Sequence, residues 1–172
     1  MRTKLPVPDV TEALIQRLLF QDLVDKGHGH IAPNCCALGN EADLLSITQA
    51  GFVNEYEIKI SRSDFKADKK KIHKHRRYMN ANDEFTTQRT RQQLIPSVFY
   101  YVVPAGMVEL SEVPHYAGLI EVKAVEPRRN SLPFVLVVTK KAPRLHKEKT
   151  VDAVKNRITN CLMWKVFNGV TR

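Results

Sequence analysis

The sequence predicts an α/β protein in which a mixed central sheet is flanked by helices. Three observations carry this reading. Apolar residues recur at helical spacing near both ends of the chain. Between them lie short runs, alternating or continuously apolar and separated by Gly, Pro and Asn, which is how strands read. The order is helix, strands, helix, strands, helix, which places helices against a sheet. At 172 residues the chain suits one domain, residues 1–172, with a core of its own.

Each element follows from local chemistry. Positions 9–26 read as a helix: Asp9 and Glu12 make a capping-box-like start, and Leu14, Ile15, Leu18, Leu19 and Leu23 form its apolar stripe. Gly27 and Gly29 end it. Positions 28–36 read as a loop. His28, His30, Cys35 and Cys36 fit no closed zinc spacing, since adjacent cysteines rarely face one metal. Ala42–Ile47 is strand-like, and Gln49-Ala50-Gly51 is a turn. Glu55–Ser61 alternates with period two, so Glu55, Glu57 and Lys59 share one face and Tyr56, Ile58 and Ile60 the other.

A basic helix is expected over 62–78, capped by Ser61 and Asp64, with a seam of Phe65, Ile72 and Met79. Positions 80–95, with Arg89 and Arg91, read as a mobile loop. Ser97–Val103 is apolar on both faces, as a covered central strand would be. Leu119–Val125 and Phe134–Thr139 are further strands. A second basic segment holds Lys140, Lys141, Arg144, Lys147 and Lys149. Thr150 is expected to cap a last helix reaching about Phe167, with Val151, Val154, Ile158, Cys161 and Leu162 inward and Trp164 in the core or against a partner.

The chemistry converges on the hairpin. A turn centred on Ala50 sets Asp43 opposite Glu57, and cross-strand partners stand roughly 5 Å apart at Cβ. Two carboxylates that close repel unless a cation lies between them. Carboxylate oxygens suit Mg²⁺ or Mn²⁺. Lys59 would point at the same spot. Glu41, two residues before Asp43, shares its face and reads equally as a supporting acid or a solvated strand end, while Glu12 reads as a capping acid that complements the helix dipole.

Asp43 followed by Glu57-Ile58-Lys59 on the next strand resembles the active-site motif of the PD-(D/E)xK nuclease superfamily. Ser61–Asp68 and Phe99–Gly106 resemble a subgroup of short bacterial and phage members linked to DNA repair. The likeness spans residues 34–125, and Ala42 stands where the motif's name has proline. The resemblance implies a restriction-endonuclease-like αβββαβ core and Mg²⁺-dependent hydrolysis of phosphodiester bonds. It further implies Asp43, Glu57 and the Ile58 carbonyl as metal ligands, with Asp43, Glu57 and Lys59 catalytic.

Charge agrees with a polyanionic partner: Lys+Arg 27 against Asp+Glu 18 gives a net +9. Positions 62–77 concentrate eight of these cations against two aspartates. The phosphate-binding set expected there is Lys66, Lys70, Lys71, Lys74, His75 and Arg77, with DNA favoured over RNA. No apolar run reaches the roughly 18 residues of a membrane span, and Met1–Pro6 shows no apolar signal region. Three cysteines, two of them adjacent, make no disulfide framework, so a cytoplasmic location is expected. The competing reading is a nuclease-like fold that binds nucleic acid without cutting it. A structural role in a phage-like particle has only the basic charge behind it.

Overall fold

In the computed structural model, which describes residues 9–81, 94–126 and 132–170, six strands form one mixed sheet. They are β1 (Gly29–Cys35), β2 (Ala42–Ile47), β3 (Val53–Ile58), β4 (Val98–Pro104), β5 (Ala117–Ala124) and β6 (Phe134–Lys140), ordered in space as in sequence. β1, β2 and β3 are antiparallel neighbours; β3, β4 and β5 run parallel; β6 is antiparallel to β5. Four helices accompany them: α1 (Glu12–Asp25), α2 (Arg62–Asp68), α3 (Ile72–Met79) and α4 (Asp152–Val170).

Strand alternation divides the core between the two faces. Leu44, Tyr56, Ile58, Val102, Ile120 and Val122 pack against Ile15, Leu18, Leu19 and Leu23 of α1. On the other face, Phe99, Tyr101 and Val103 meet Phe65 of α2 and Tyr78 of α3. Leu45, Ile47 and Val53 meet Val154 and Ile158 of α4 on that same side. β4 is therefore covered twice, as its unbroken apolar run requires. The odd-numbered residues of β3 face α2 and α3, so Glu55 and Glu57 point into the protein.

Several expectations are corrected. α1 is capped by Thr11, whose hydroxyl accepts from the Leu14 N–H at 3.2 Å, rather than by Asp9. Residues 29–35 form a strand and not a loop. Its pattern was hidden by Pro33, by positive φ at His30 and Asn34, and by a register irregularity between Gly29 and Ala32. The basic helix is two helices, broken at 69–71. The break rotates the second helix, so the expected seam fails: Ile72 and Met79 are 66% and 54% exposed, and Lys74, His75 and Tyr78 point inward. Thr150 lies two residues ahead of α4, its hydroxyl without a partner among the described residues. Trp164 is exposed rather than in the core. The expected loop at 80–95 lies largely outside the described residues, at 82–93. Among the described residues no helix is long and apolar enough to cross a membrane.

One glycine is required by space. The Tyr100 ring lies over Gly118 on the neighbouring strand, and its hydroxyl accepts from the Ala142 N–H at 3.2 Å. A Cβ at 118 would overlap that ring and come within 2.7 Å of the Ala142 nitrogen. Gly118→Ala is expected to destabilise the fold by about 1–3 kcal/mol through overpacking. A chemical melt of the variant checks this, and an unchanged midpoint would show that the ring moves aside at no cost.

Candidate active site

β2 and β3 pair Leu44 with Tyr56 and Leu45 with Glu55. One step further along this register, Asp43 stands beside Glu57. The contact is direct at the backbone between them: Asp43 Oδ2 accepts from the Ile58 N–H at 2.6 Å. A strand residue's N–H and C=O point to the same side, so the Ile58 carbonyl is directed toward Asp43 too. Burial and then the Glu57 charge push the Asp43 carboxyl up to about 6, while the Ile58 N–H pulls the other way. A carboxylate so disfavoured marks a place where positive charge is wanting.

Glu57 is 1% exposed and its oxygens meet three ammonium groups. Oε1 accepts from Lys59 at 3.0 Å and Lys71 at 2.8 Å, and Oε2 from Lys74 at 2.6 Å. Two more buried acids complete the cluster. Glu55 pairs with Lys74 at 2.7 Å and accepts from the Tyr78 hydroxyl at 2.7 Å. Asp68 Oδ1 lies 2.9 Å from Lys71 and 3.9 Å from Lys59, while Oδ2 accepts from Tyr101 at 2.7 Å. His75 Nε2 faces only acceptors, the Asp68 carbonyl at 2.8 Å and Oδ2 at 3.2 Å, so it carries the proton. Nδ1 lies 2.8 Å from the Tyr116 hydroxyl. Burial works against the charge of Asp68, but bonds from His75, Lys71 and Tyr101 hold its carboxyl well below the ordinary range. Burial likewise works against the Lys71 and Lys74 ammoniums, and their carboxylate partners hold both above the usual lysine value. The Lys74 ammonium also sits 5.2 Å above the Phe99 ring.

The structure thus brings Asp43, Glu57, Ile58 and Lys59 together, with Lys71 and Lys74 beside them. It does not bring the whole basic set to the surface. Lys74 and His75 are buried within the cluster, and Arg77 donates to the Leu38 carbonyl at 3.2 Å and to the Leu94 carbonyl. Lys74 and His75 are thus turned inward and drop out as phosphate contacts, because a heptad count cannot anticipate the break at 69–71, while Arg77 is half-buried. Lys66 and Lys70 are exposed, and the Lys71 side chain is half exposed. Lys70, Lys71, Ile72, His73 and Lys74 face Asn40 and Glu41 across an open cleft of about 530 Å³. Glu12 contributes negative charge at Asp43, and Gln16 Nε2 donates to the Asp43 carbonyl at 3.1 Å.

Sequence reasoning missed Asp68, Tyr78, Tyr101 and Tyr116. One signal was present: His75 lies seven residues after Asp68, so the two recur at heptad spacing. Glu55 was placed on the correct face but not recognised as part of the cluster.

A divalent cation can be tested against this donor set. Among the described residues no three His, Cys, Asp or Glu side chains are grouped as a metal cage. Mg²⁺ needs less from the protein, often one or two carboxylates plus waters and substrate phosphate. Asp43, Glu57 and the Ile58 carbonyl fit that requirement, provided one ammonium gives way at Glu57.

No family model matches the chain, and no curated protein matches it. Among solved structures it is similar to the SPO1766 protein of unknown function from Silicibacter pomeroyi. The TM-score is 0.59 at 15% identity, over 95% of this chain and 91% of that one. At that identity the likeness shows a shared fold.

Two stability measurements check the cluster. Lys74→Ala leaves Glu55 and Glu57 short of a buried cation and is expected to cost about 3–5 kcal/mol, whereas exposed Lys70→Ala should change stability by less than about 0.5 kcal/mol. Equal effects would contradict the placement of Lys74. The second concerns pH. The folded Asp43 pKa lies above its ordinary value of 3.8, so the folded state holds that proton more tightly than the unfolded state. Ionisation therefore removes stability as pH rises from about 4 to about 6. In chelator at pH 7, Asp43→Asn should be more stable than wild type by on the order of 1–3 kcal/mol, with the difference vanishing below pH ~4. Melts at both pH values decide it, and a destabilised variant at pH 7 would contradict the crowding of the two acids.

Proposed function

We propose that the protein is a metal-dependent nuclease of the PD-(D/E)xK type, hydrolysing phosphodiester bonds in DNA. The observation that carries the reading is the Asp43 carboxylate on the Ile58 N–H, close enough to feel the Glu57 charge, with the Lys59 ammonium on Glu57 Oε1. The element order α1-β1-β2-β3-α2-α3-β4 agrees with a restriction-endonuclease-like core in which the second helix is broken. Free thiols at Cys35, Cys36 and Cys161 suit a reducing, cytoplasmic setting. DNA repair, recombination or phage DNA processing would supply such substrates.

Asp43, Glu57 and the Ile58 carbonyl would hold the ion. Bound there, Mg²⁺ or Mn²⁺ supplies Lewis acidity toward a phosphoryl oxygen and lowers the pKa of a coordinated water. Lys59, fixed against Glu57, presents positive charge where charge develops on the phosphate. Lys70 lines the cleft and Lys66 is exposed on α2, and both would contact the backbone of the nucleic acid. The Ile58 N–H keeps Asp43 oriented throughout.

The alternative, a module that binds nucleic acid without cleaving it, has one observation in its favour: both oxygens of Glu57 are already taken by lysines. Cleavage decides between the two. Labelled linear, circular and branched DNA, and RNA, should be cut in Mg²⁺ or Mn²⁺ and left intact in chelator. Lys59→Ala should lose roughly 10² or more in rate while keeping its fold, since Glu57 retains Lys71 and Lys74. Asp43→Asn should demand more metal for the same rate. Lys66→Ala with Lys70→Ala should flatten the salt dependence of DNA binding by a slope of about 2, one released counterion per lost contact. Binding indifferent to chelator, with no cleavage of any substrate, would replace this reading with the binding module.

A further inference from the structure

The three ammonium groups on Glu57 are not equivalent. Lys59 and Lys74 have side chains 7% and 3% exposed, whereas Lys71 is 50% exposed. Lys59 continues β3, and Lys74 projects from α3. Lys71 comes from the break between α2 and α3 and reaches Glu57 from the open cleft. Its Nζ bridges two carboxylates, at 2.8 Å from Glu57 Oε1 and 2.9 Å from Asp68 Oδ1. A small cation lodged between those acids would do the same electrostatic work.

Charge accounting points the same way. Glu55, Glu57 and Asp68 are three buried carboxylates, and Lys59 and Lys74 are two buried ammoniums. The remaining negative charge is met by a side chain that is half in water. Withdrawing a buried ammonium strands a charge in the interior, which is costly. Lys71 can return its own charge to water, but its partners Glu57 and Asp68 are buried, so its departure needs another cation in its place.

Resting on the nuclease reading above, we infer that Lys71 is a displaceable internal cation. In the metal-free protein it neutralises Glu57, and it leaves Glu57 Oε1 when a divalent ion is bound by Asp43 and Glu57. Asp68 makes the exchange possible. Its Oδ2 is held by Tyr101 and His75 independently of Lys71, so Oδ1 stays in place to retain the ammonium as it swings. The cleft then presents Lys71 beside Lys70 and His73, where it is available to a phosphate. Metal binding thereby increases the positive charge offered to nucleic acid, and by linkage nucleic acid that engages Lys71 tightens the metal.

Mn²⁺ binding to the full chain without nucleic acid tests this, read by loss of the free-ion signal in electron paramagnetic resonance. Lys71→Ala and Lys71→Met remove the competitor and should bind Mn²⁺ about tenfold or more tightly than wild type, while Lys70→Ala should match wild type. Glu57→Gln should abolish the gain when combined with Lys71→Ala. Equal affinity for wild type and both Lys71 variants, with binding still dependent on Glu57, would overturn the exchange and leave the metal site standing. Weaker binding by the Lys71 variants would also overturn it. Failure of wild type and every Lys71 variant to bind Mn²⁺ would remove the site itself, and the exchange with it.

Discussion

Three carboxylates lie buried on the covered face of β3 and at the end of α2, and the surrounding structure answers their charge. An isolated carboxylate in a protein interior is costly enough that it protonates or finds partners. Glu55, Glu57 and Asp68 find Lys59, Lys71, Lys74, His75 and the hydroxyls of Tyr78 and Tyr101. This fixes how α2 and α3 must lie on the sheet, because Lys74 and His75 can reach these acids from one orientation of α3. The break at 69–71 serves that orientation. Phe65, Phe99, Tyr78 and Tyr101 wall the cluster, with edge-to-face or tilted rings 5.0–5.1 Å apart between centroids, and exclude the water that would otherwise weaken the pairs.

Asp43 stands apart from this lattice. It is bonded to a backbone N–H and, among the described residues, is in no ion pair, while its neighbour Glu57 meets three lysines. Under the proposed nuclease reading this asymmetry has a use. A cluster that was neutral throughout would have no use for a further cation. On the proposed reading, a carboxylate crowded by Glu57 and beside a half-exposed lysine is where one would bind.

The hairpin was legible in the sequence because its two signals are local. Gly51 has φ 89°, which the turn needs, and the spacing across that turn sets Asp43 against Glu57. α1 was legible from its periodicity and the doubly covered β4 from its unbroken apolar run, both of them local signals. β1 was not, since Pro33 and the left-handed residues His30 and Asn34 mask its alternation. The basic helix misled most. Lysine is read as a surface residue by default, and nothing within 62–78 reveals that Glu55 and Glu57, on another element, bury the acids that draw Lys74 inward. Tyr101 and Tyr116 were invisible as site residues because an aromatic in a covered strand or beside one is explained by packing alone.

The central claim is that Asp43 and Glu57 form one cation site around the Ile58 backbone. The Ile58 amide proton, donated to Asp43 Oδ2 at 2.6 Å, reports on that site directly. A two-dimensional NMR titration of the nucleic-acid-free protein with millimolar Mg²⁺ should move the Ile58 amide resonance most. Smaller shifts are expected at Asp43, Glu57 and Lys71, and none along α4. Shifts absent at Ile58, or scattered over the face of the sheet that α1 covers, would contradict the account.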